Sequence, residues 1–521
     1  MLTGFKDFGD FVKKNIGLTV FTFVLTFVLY GIKITNYAYG MDSINYINNY
    51  EGYLDHWYGI GRFGEVFLKK YLWGSYTNIY LLNILAFILF ALSSLLICYL
   101  FSKIIDSQKF KYHFFIIPAL FLTSSIFVVQ FYFILQNFEF ALGIFFVVLS
   151  ILLIQVSSNK LSLKVISYVV SAILLFLAIA IYQTFILFFA GIVAGILLLE
   201  CYKSYKEKLE YTFINMLFQV LPFVLILIIS TGSYFVANNL VLSYLGIESK
   251  NHSMGMMVWP TLGFKQGMVS LLKAMRDIVF LPNDSTRYLM YNYGVLISTI
   301  LLIPVAIMFI LKKGKNILVA FISIMTIYVM GFGIILATGT LPTPRSMAPQ
   351  FPFLIAFLFF FISLFIEKKQ FKVLFAMVII FMGCSQFKTS SNLLFSEEMT
   401  FQEDQRKVLE VNQAINNLQL ENTSSYKLVI IGTSSPQNIF TIPVYNELIG
   451  VSMFQFAWSD DLGSYYINDN IISILNIMGN KYETPTLDEY LDIWQNRTSL
   501  NDSSPNLATE VIDNYIVVKV K

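Results

Sequence analysis

Along most of this chain, long uncharged apolar runs alternate with short links that carry lysine. Nothing between Lys14 and Lys33 is charged, and a first membrane-crossing run is read at 17–34. Further uncharged runs fall at 76–101, 114–133, 140–156, 165–182, 185–199, 212–236, 295–311, 317–337, 351–366 and 373–387. Each approaches the ~20 residues an α-helix needs to cross a ~30 Å hydrocarbon core. The pattern predicts an α-helical polytopic membrane protein with about eleven transmembrane helices over residues 1–387. Three polar stretches, 35–75, 237–292 and 338–350, are longer than the other links. After 387 the pattern changes: a charged, periodic helix at 397–420, a short strand at KLVIIG (427–432), a helix at 471–478 and a strand at YIVVKV (515–520). Residues 388–521 are therefore expected to form a small α/β domain.

Composition agrees with the periodicity. The chain of 521 residues is 57% hydrophobic and 13% charged, about half the charged fraction of a soluble domain. Cys98, Cys201 and Cys384 lie in or beside apolar runs, which argues against a disulfide framework. His56, His113 and His252 have no zinc-ligand spacing, so neither a metal nor another cofactor is expected. The first apolar run has no A-x-A-like cleavage site and is long enough to span. Lysines orient the helices. Lys6, Lys13 and Lys14, Lys103, Lys109 and Lys111, Lys160 and Lys164, Lys203, Lys206 and Lys208, Lys312, Lys313 and Lys315, and Lys368, Lys369 and Lys372 fall on alternate links. The turns near 136–139 and 183–184 on the other side have no lysine or arginine. The positive-inside rule then places the N-terminus in the cytoplasm, and an odd number of spans places the C-terminus and the three polar stretches outside.

Candidate chemistry concentrates in those outer stretches, above all in 40–72. Asp42 follows the first span closely, which suits a general base acting on a hydroxyl at the membrane surface. The simpler reading from position alone is the cap of a helix starting at Ser43. Glu51 and Asp55, four apart, share a helical face, more often a solvated face than a carboxylate pair. Arg62 follows a Gly-Ile-Gly break, and Arg345 lies in the proline-punctuated stretch TGTLPTPRSMAPQ. A guanidinium at either place suits bidentate phosphate binding or snorkelling to headgroups, and the presence of two tips the reading towards an anion. Arg287, Lys265 and Arg276 form a second basic group with lipid headgroups as default partners. Glu139 after Asn137 reads as a first-turn carboxylate beside a cap, and Gln183 in AIYQTF as structural. Segments 264–280 and 64–73 read as amphipathic helices in the interface, the second with Val66, Phe67 and Tyr71 on its apolar side and Lys69 and Lys70 on the other.

A short N-terminal tail, a first span and then a D…GR pattern resemble the bacterial type II glucosyltransferases of O-antigen conversion, membrane enzymes of the GT-C class. The elements that carry the resemblance are YGMDSINYINNY, GIGRF with Gly61 and Arg62, IYQTF with Tyr182 and Gln183, and the PRS turn with Arg345. The family's first loop is expected to hold a fuller acidic motif than the single Asp42 flanked by Met and Ser, which leaves the base open between Asp42 and Asp55. The resemblance implies transfer of a sugar, with inversion, from a polyprenyl-phosphate donor in the membrane to a cell-surface polysaccharide on its outer face. Arg62, Arg345 and Arg287 would hold the donor phosphate, and Glu51, Tyr182, Gln183 and Glu139 would contact substrate. No metal, cofactor or nucleic acid is implied. A flippase for lipid-linked sugars and a non-catalytic assembly scaffold are the alternatives. Transporters place ionisable groups mid-span, whereas the charges here gather at span ends.

Overall fold

The computed structural model describes residues 2–74, 78–106, 109–156, 160–250, 257–280, 292–311, 317–455, 463–501 and 503–521. In chain order its first helices are α1 (Leu2–Lys14), α2 (Ile16–Tyr30), α3 (Ile32–Thr35), α4 (Met41–Asn48), α5 (Tyr50–Gly59) and α6 (Phe63–Phe67). Next come α7 (Ile79–Ser102), α8 (Ile116–Phe121), α9 (Ile126–Tyr132), α10 (Asn137–Gln155), α11 (Leu161–Ile181), α12 (Phe185–Glu207) and α13 (Phe213–Leu245). They are followed by α14 (Trp259–Val279), α15 (Asn292–Leu311), α16 (Ile317–Gly331), α17 (Gly333–Thr338), α18 (Gln350–Ser363) and α19 (Lys369–Asn416). Strands β1 (Lys427–Ile431), β2 (Leu507–Ile512) and β3 (Tyr515–Val520) and helices α20 (Gly463–Ile477) and α21 (Leu487–Asp492) complete the chain. Two compact units result: 1–35, 55–131 and 135–391 form the first, and 36–54, 132–134 and 392–521 the second.

Every apolar run of the sequence is helical in the first unit, but they are not eleven uniform crossings. Among the described residues, α7, α10, α11, α12, α13 and α19 are each long and apolar enough to cross a membrane. The number rises from 6 to 8 if two bent pairs each count as one span. Three further apolar helices, at 293–308, Ile317–Gly331 and Gln350–Ser363, are shorter. The run at 114–133 bends by 49° between α8 and α9, which exposes backbone carbonyls that an apolar surrounding cannot solvate. Side chains from other helices take them: Tyr30 Oη donates to Leu122 O at 2.6 Å and Ser390 Oγ to Thr123 O at 2.9 Å. Phe90, Phe127 and Phe131 pack edge to face around the same break, with ring centroids 4.7–5.4 Å apart for the pairs with Phe90. Gly143 lets α10 approach α12, since a Cβ there would sit 2.1 Å from the Phe185 ring. Small residues at helix contacts of this kind are how apolar helices associate in lipid.

The second unit is built on a three-stranded sheet of order β1-β3-β2, with β1 parallel and β2 antiparallel to β3. Its core joins Val429, Ile431 and Val517 to Tyr490 and Ile493. Gly432 ends β1 at φ +94°, where a Cβ would lie 2.1 Å from Val520 O. The charged second half of α19 belongs here. Its Asp404 is buried, accepting from Ser452 Oγ at 2.5 Å and from Met453 N at 2.9 Å, and burial pushes its carboxyl up to about 7. Helix α4, from the first polar stretch, also belongs to this unit. It packs on α20, with Asn48 Nδ2 donating to Ser473 O at 3.0 Å.

Candidate functional site

Helix α5 ends at Gly59 and the chain reverses through Ile60 and Gly61. Gly61 has φ +80°, and a Cβ on it would sit 2.5 Å from Tyr234 Oη and 2.9 Å from Gln183 Nε2. This crowding reflects how the turn is held. Gln183 lies in the short break between α11 and α12, and its Nε2 is 3.0 Å from both Ile60 O and Gly61 O and 2.9 Å from Tyr234 Oη. Tyr234 Oη in turn donates to Gly61 O at 2.9 Å. The next residue, Thr184, donates from Oγ1 to Ala348 O at 3.2 Å, just after the turn that holds Arg345. Lys250 N donates to Gly59 O, and Val258 N to Thr338 O, both at 2.9 Å. The three polar stretches of the sequence thus meet within the first unit: the Tyr182–Thr184 break holds the first and the third, and the second bonds to each of those two directly.

Arg62 stands at the N-terminal end of α6 with its guanidinium 4.6 Å from the centre of the Tyr182 ring. Its Nη1 is 3.8 Å from Glu65 Oε2. Glu65 is buried, and its Oε1 has no hydrogen-bond partner among the described residues. Burial raises its carboxyl to about 7, against the pull of Arg62 and Lys69 and with a push from Glu139. One turn further on, the fully buried Lys69 bonds to Glu139 Oε1 at 3.0 Å and to Leu135 O, with Trp57 beside its ammonium at 5.3 Å. Positive and negative groups therefore alternate from Arg62 through Glu65 and Lys69 to Glu139. Because Glu65 is only partly ionised near neutral pH, Arg62 is incompletely neutralised, and its side chain keeps 20% of its exposure. Such a guanidinium, stacked on a ring and partly desolvated, suits an anionic oxygen.

Residues 14–363, more than half of the chain, match the family described as Glucosyl transferase GtrII. The chain belongs to this family. It is a membrane glycosyltransferase, and the GtrII match takes in the GIGR, YQT and PRS turns together with α2 to α18. Neither a curated protein nor a solved structure matches the chain.

Against the GtrII framework, the residues singled out in the sequence fall in different settings. Helix α4 starts at Met41, and Gly40 O accepts from Ser43 N and Ile44 N. Asp42 therefore sits in the first turn rather than capping a helix that begins at Ser43; its side chain lies outside the described residues. Glu51 and Asp55 are exposed on α5. Arg345 is half-buried in a single helical turn, Pro344–Met347. Arg287 lies outside the described residues. Glu139 is not a free first-turn carboxylate, because Lys69 reaches it from the first polar stretch. Nor does Asn137 cap α10: it lies inside the helix, and its Nδ2 donates to Asn83 Oδ1 at 2.9 Å. Segment 64–73 does not divide as read: on the side read as apolar Val66 is buried while Phe67 and Tyr71 are exposed, and on the other Lys69 is buried while Lys70 is exposed. Lys69 turns inward to pair with Glu139, as an ionisable side chain among apolar helices does. Helix α14 forms as read and buries Leu271, Ala274 and Ile278. Sequence reasoning passed over Glu65 and Tyr234. The signal for Glu65 was its place four residues before Lys69; for Tyr234, inside an apolar run, there was none.

Proposed function

We propose that this GtrII-family chain transfers glucose or a similar hexose from a polyprenyl-phosphate donor to a cell-surface polysaccharide on the outer face of a bacterial membrane. The N-terminus is then cytoplasmic, and 388–521 form an extracytoplasmic domain. The acceptor hydroxyl attacks the anomeric carbon and inverts it as the bond to the lipid phosphate breaks. Asp42, or Asp55 in its place, takes the hydroxyl proton. Arg62 and Arg345, joined by Arg287, meet the charge that builds on the departing phosphate, where fixed cations act most strongly. Glu51 and Tyr182 contact the sugar, and Gln183 and Glu139 hold their neighbours in position.

The observation that supports this reading most is the shared anchor of the two arginine-bearing turns. Gln183 bonds to the backbone before Arg62 and Thr184 to the backbone after Arg345. The test is transfer of radiolabelled sugar from a synthetic polyprenyl-phosphate sugar by the purified protein. Formation of a labelled glycoside, with Asp42→Asn and Arg62→Ala each slowing it by about 10²-fold or more, is the expected result. Wild-type rates from normally inserted variants would sink the assignment. Label crossing liposomes without a new glycosidic bond would indicate a flippase, and neither outcome a scaffold.

A further inference from the structure

A groove of about 670 Å³ runs between α2, α8 and α19, and its two ends differ in chemistry. At one end it is lined by Lys109 and Lys372 beside His113 and Ser363, whose Nδ1 and Oγ are 2.8 Å apart. Both lysines are exposed, and neither forms an ion pair among the described residues. From there the lining is apolar, through Ala376 and Ile379, to Thr123. At that far end Thr123 Oγ1 donates to Gln386 Oε1 at 2.8 Å, closing α19 against the α8–α9 break.

We infer that this groove is a binding site for one anionic phospholipid. The phosphate sits between Lys109 and Lys372, and one acyl chain lies along α8 and α19. Three features carry the inference. The cations are confined to one end, as a headgroup above a hydrocarbon chain requires. They lie at a groove between helices rather than on an open face, the arrangement by which basic inter-helix pockets bind acidic headgroups. The length is also right. From Lys372 to Phe387 the helix advances roughly 22 Å at ~1.5 Å per residue, comparable with one leaflet of a bilayer ~40–45 Å thick including its headgroups and too short for a long polyprenyl tail. A second groove of about 710 Å³ between α11 and α13 is lined by no lysine or arginine, which leaves it an ordinary lipid-filled crevice.

The test uses the full chain, purified in neutral detergent and titrated with phosphatidylglycerol, phosphatidylcholine or a polyprenyl monophosphate, with bound lipid read by native mass spectrometry. Phosphatidylglycerol is expected to bind at least tenfold more tightly than phosphatidylcholine. A lysine beside an anionic headgroup contributes about fivefold, so Lys109→Gln with Lys372→Gln should weaken phosphatidylglycerol roughly thirtyfold and leave phosphatidylcholine unchanged. Ala376→Trp fills the groove while keeping both lysines, and should weaken both phospholipids. Equal affinity for the two phospholipids, a preference untouched by these variants, or tighter binding of polyprenyl monophosphate than of phosphatidylglycerol would each overturn the inference.

Discussion

Lys69 and Glu139 form an ion pair with each side chain 1% exposed, and such pairs are sensitive to the loss of one partner. Removing a single member strands a buried charge and costs about 3–5 kcal/mol, whereas replacing both with apolar groups is often close to neutral. Lys69→Met should therefore lower the unfolding temperature in detergent sharply, and Lys69→Met with Glu139→Leu should restore most of it. Full recovery by the double variant would mean that the pair serves specificity or function rather than stability. Glu65 makes a pH-dependent contribution. Its folded-state pKa of about 7 exceeds the ordinary 4.5, so the folded chain binds more protons than the unfolded chain between those values. Stability then falls as pH rises from about 4.5 to about 7 and levels off above. Glu65→Gln should flatten that part of a denaturation series, and an unchanged slope would show that another group carries it.

Among the elements, the breaks matter as much as the helices. The Tyr182–Thr184 break frees polar groups at a bundle end, and Gln183 and Thr184 use them to hold two other turns. Gln183→Leu leaves the Ile60 and Gly61 carbonyls without that donor, a loss of about 1–3 kcal/mol for buried groups. Misplacing the Arg62 turn by even ~1 Å is worth about 10²-fold in rate. Gly61→Ala meets both a positive φ and a 2.5 Å contact with Tyr234 Oη, so it should act at least as strongly. Both variants should reduce sugar transfer while the protein still inserts; activity within twofold of wild type would show that the turn does not position the reacting groups. The first segment after this turn shows why amphipathic pattern was misread. A 3.6-residue period marks two faces only where the helix keeps that period; Leu68–Trp73 is wound as a π-helix, and Val66 and Lys69 are buried while Phe67 and Lys70 are exposed.

At the scale of the whole chain, 36–54 belongs to the same compact unit as 392–521. Ile44 on α4 is fully buried, and α4 packs on α20. Ile44→Ala should therefore cost about 2–5 kcal/mol as a core cavity and loosen the C-terminal unit. Hydrogen exchange should speed up in β1 and β3 even though the substitution lies far earlier in the chain than either strand. Unaltered protection of those strands would mean that α4 is an appendage rather than part of that unit's core. The strands β1 and β3 were readable as short apolar runs bounded by turns. Strand β2 was not, since LATEVI alternates too little to stand out from a loop. The helix read at 397–420 fuses with the apolar run before it into the 48-residue α19, because nothing in 388–396 breaks a helix.

What the sequence determined by itself is the kind of solvent this chain folds in and where its helices lie. Uncharged runs of near-spanning length have one stable solution in hydrocarbon, and that solution needs no knowledge of neighbours. It also marked GIGR, YQT and PRS as unusual, because glycine, proline and polar groups at span ends are local signals. Only the tertiary structure decided which of these turns touch, that Lys69 and Glu65 face inward, and that the first polar stretch is divided between two units. Those outcomes depend on residues from 66 to 164 positions apart finding the same buried polar partners, and no periodicity within a single segment encodes that choice.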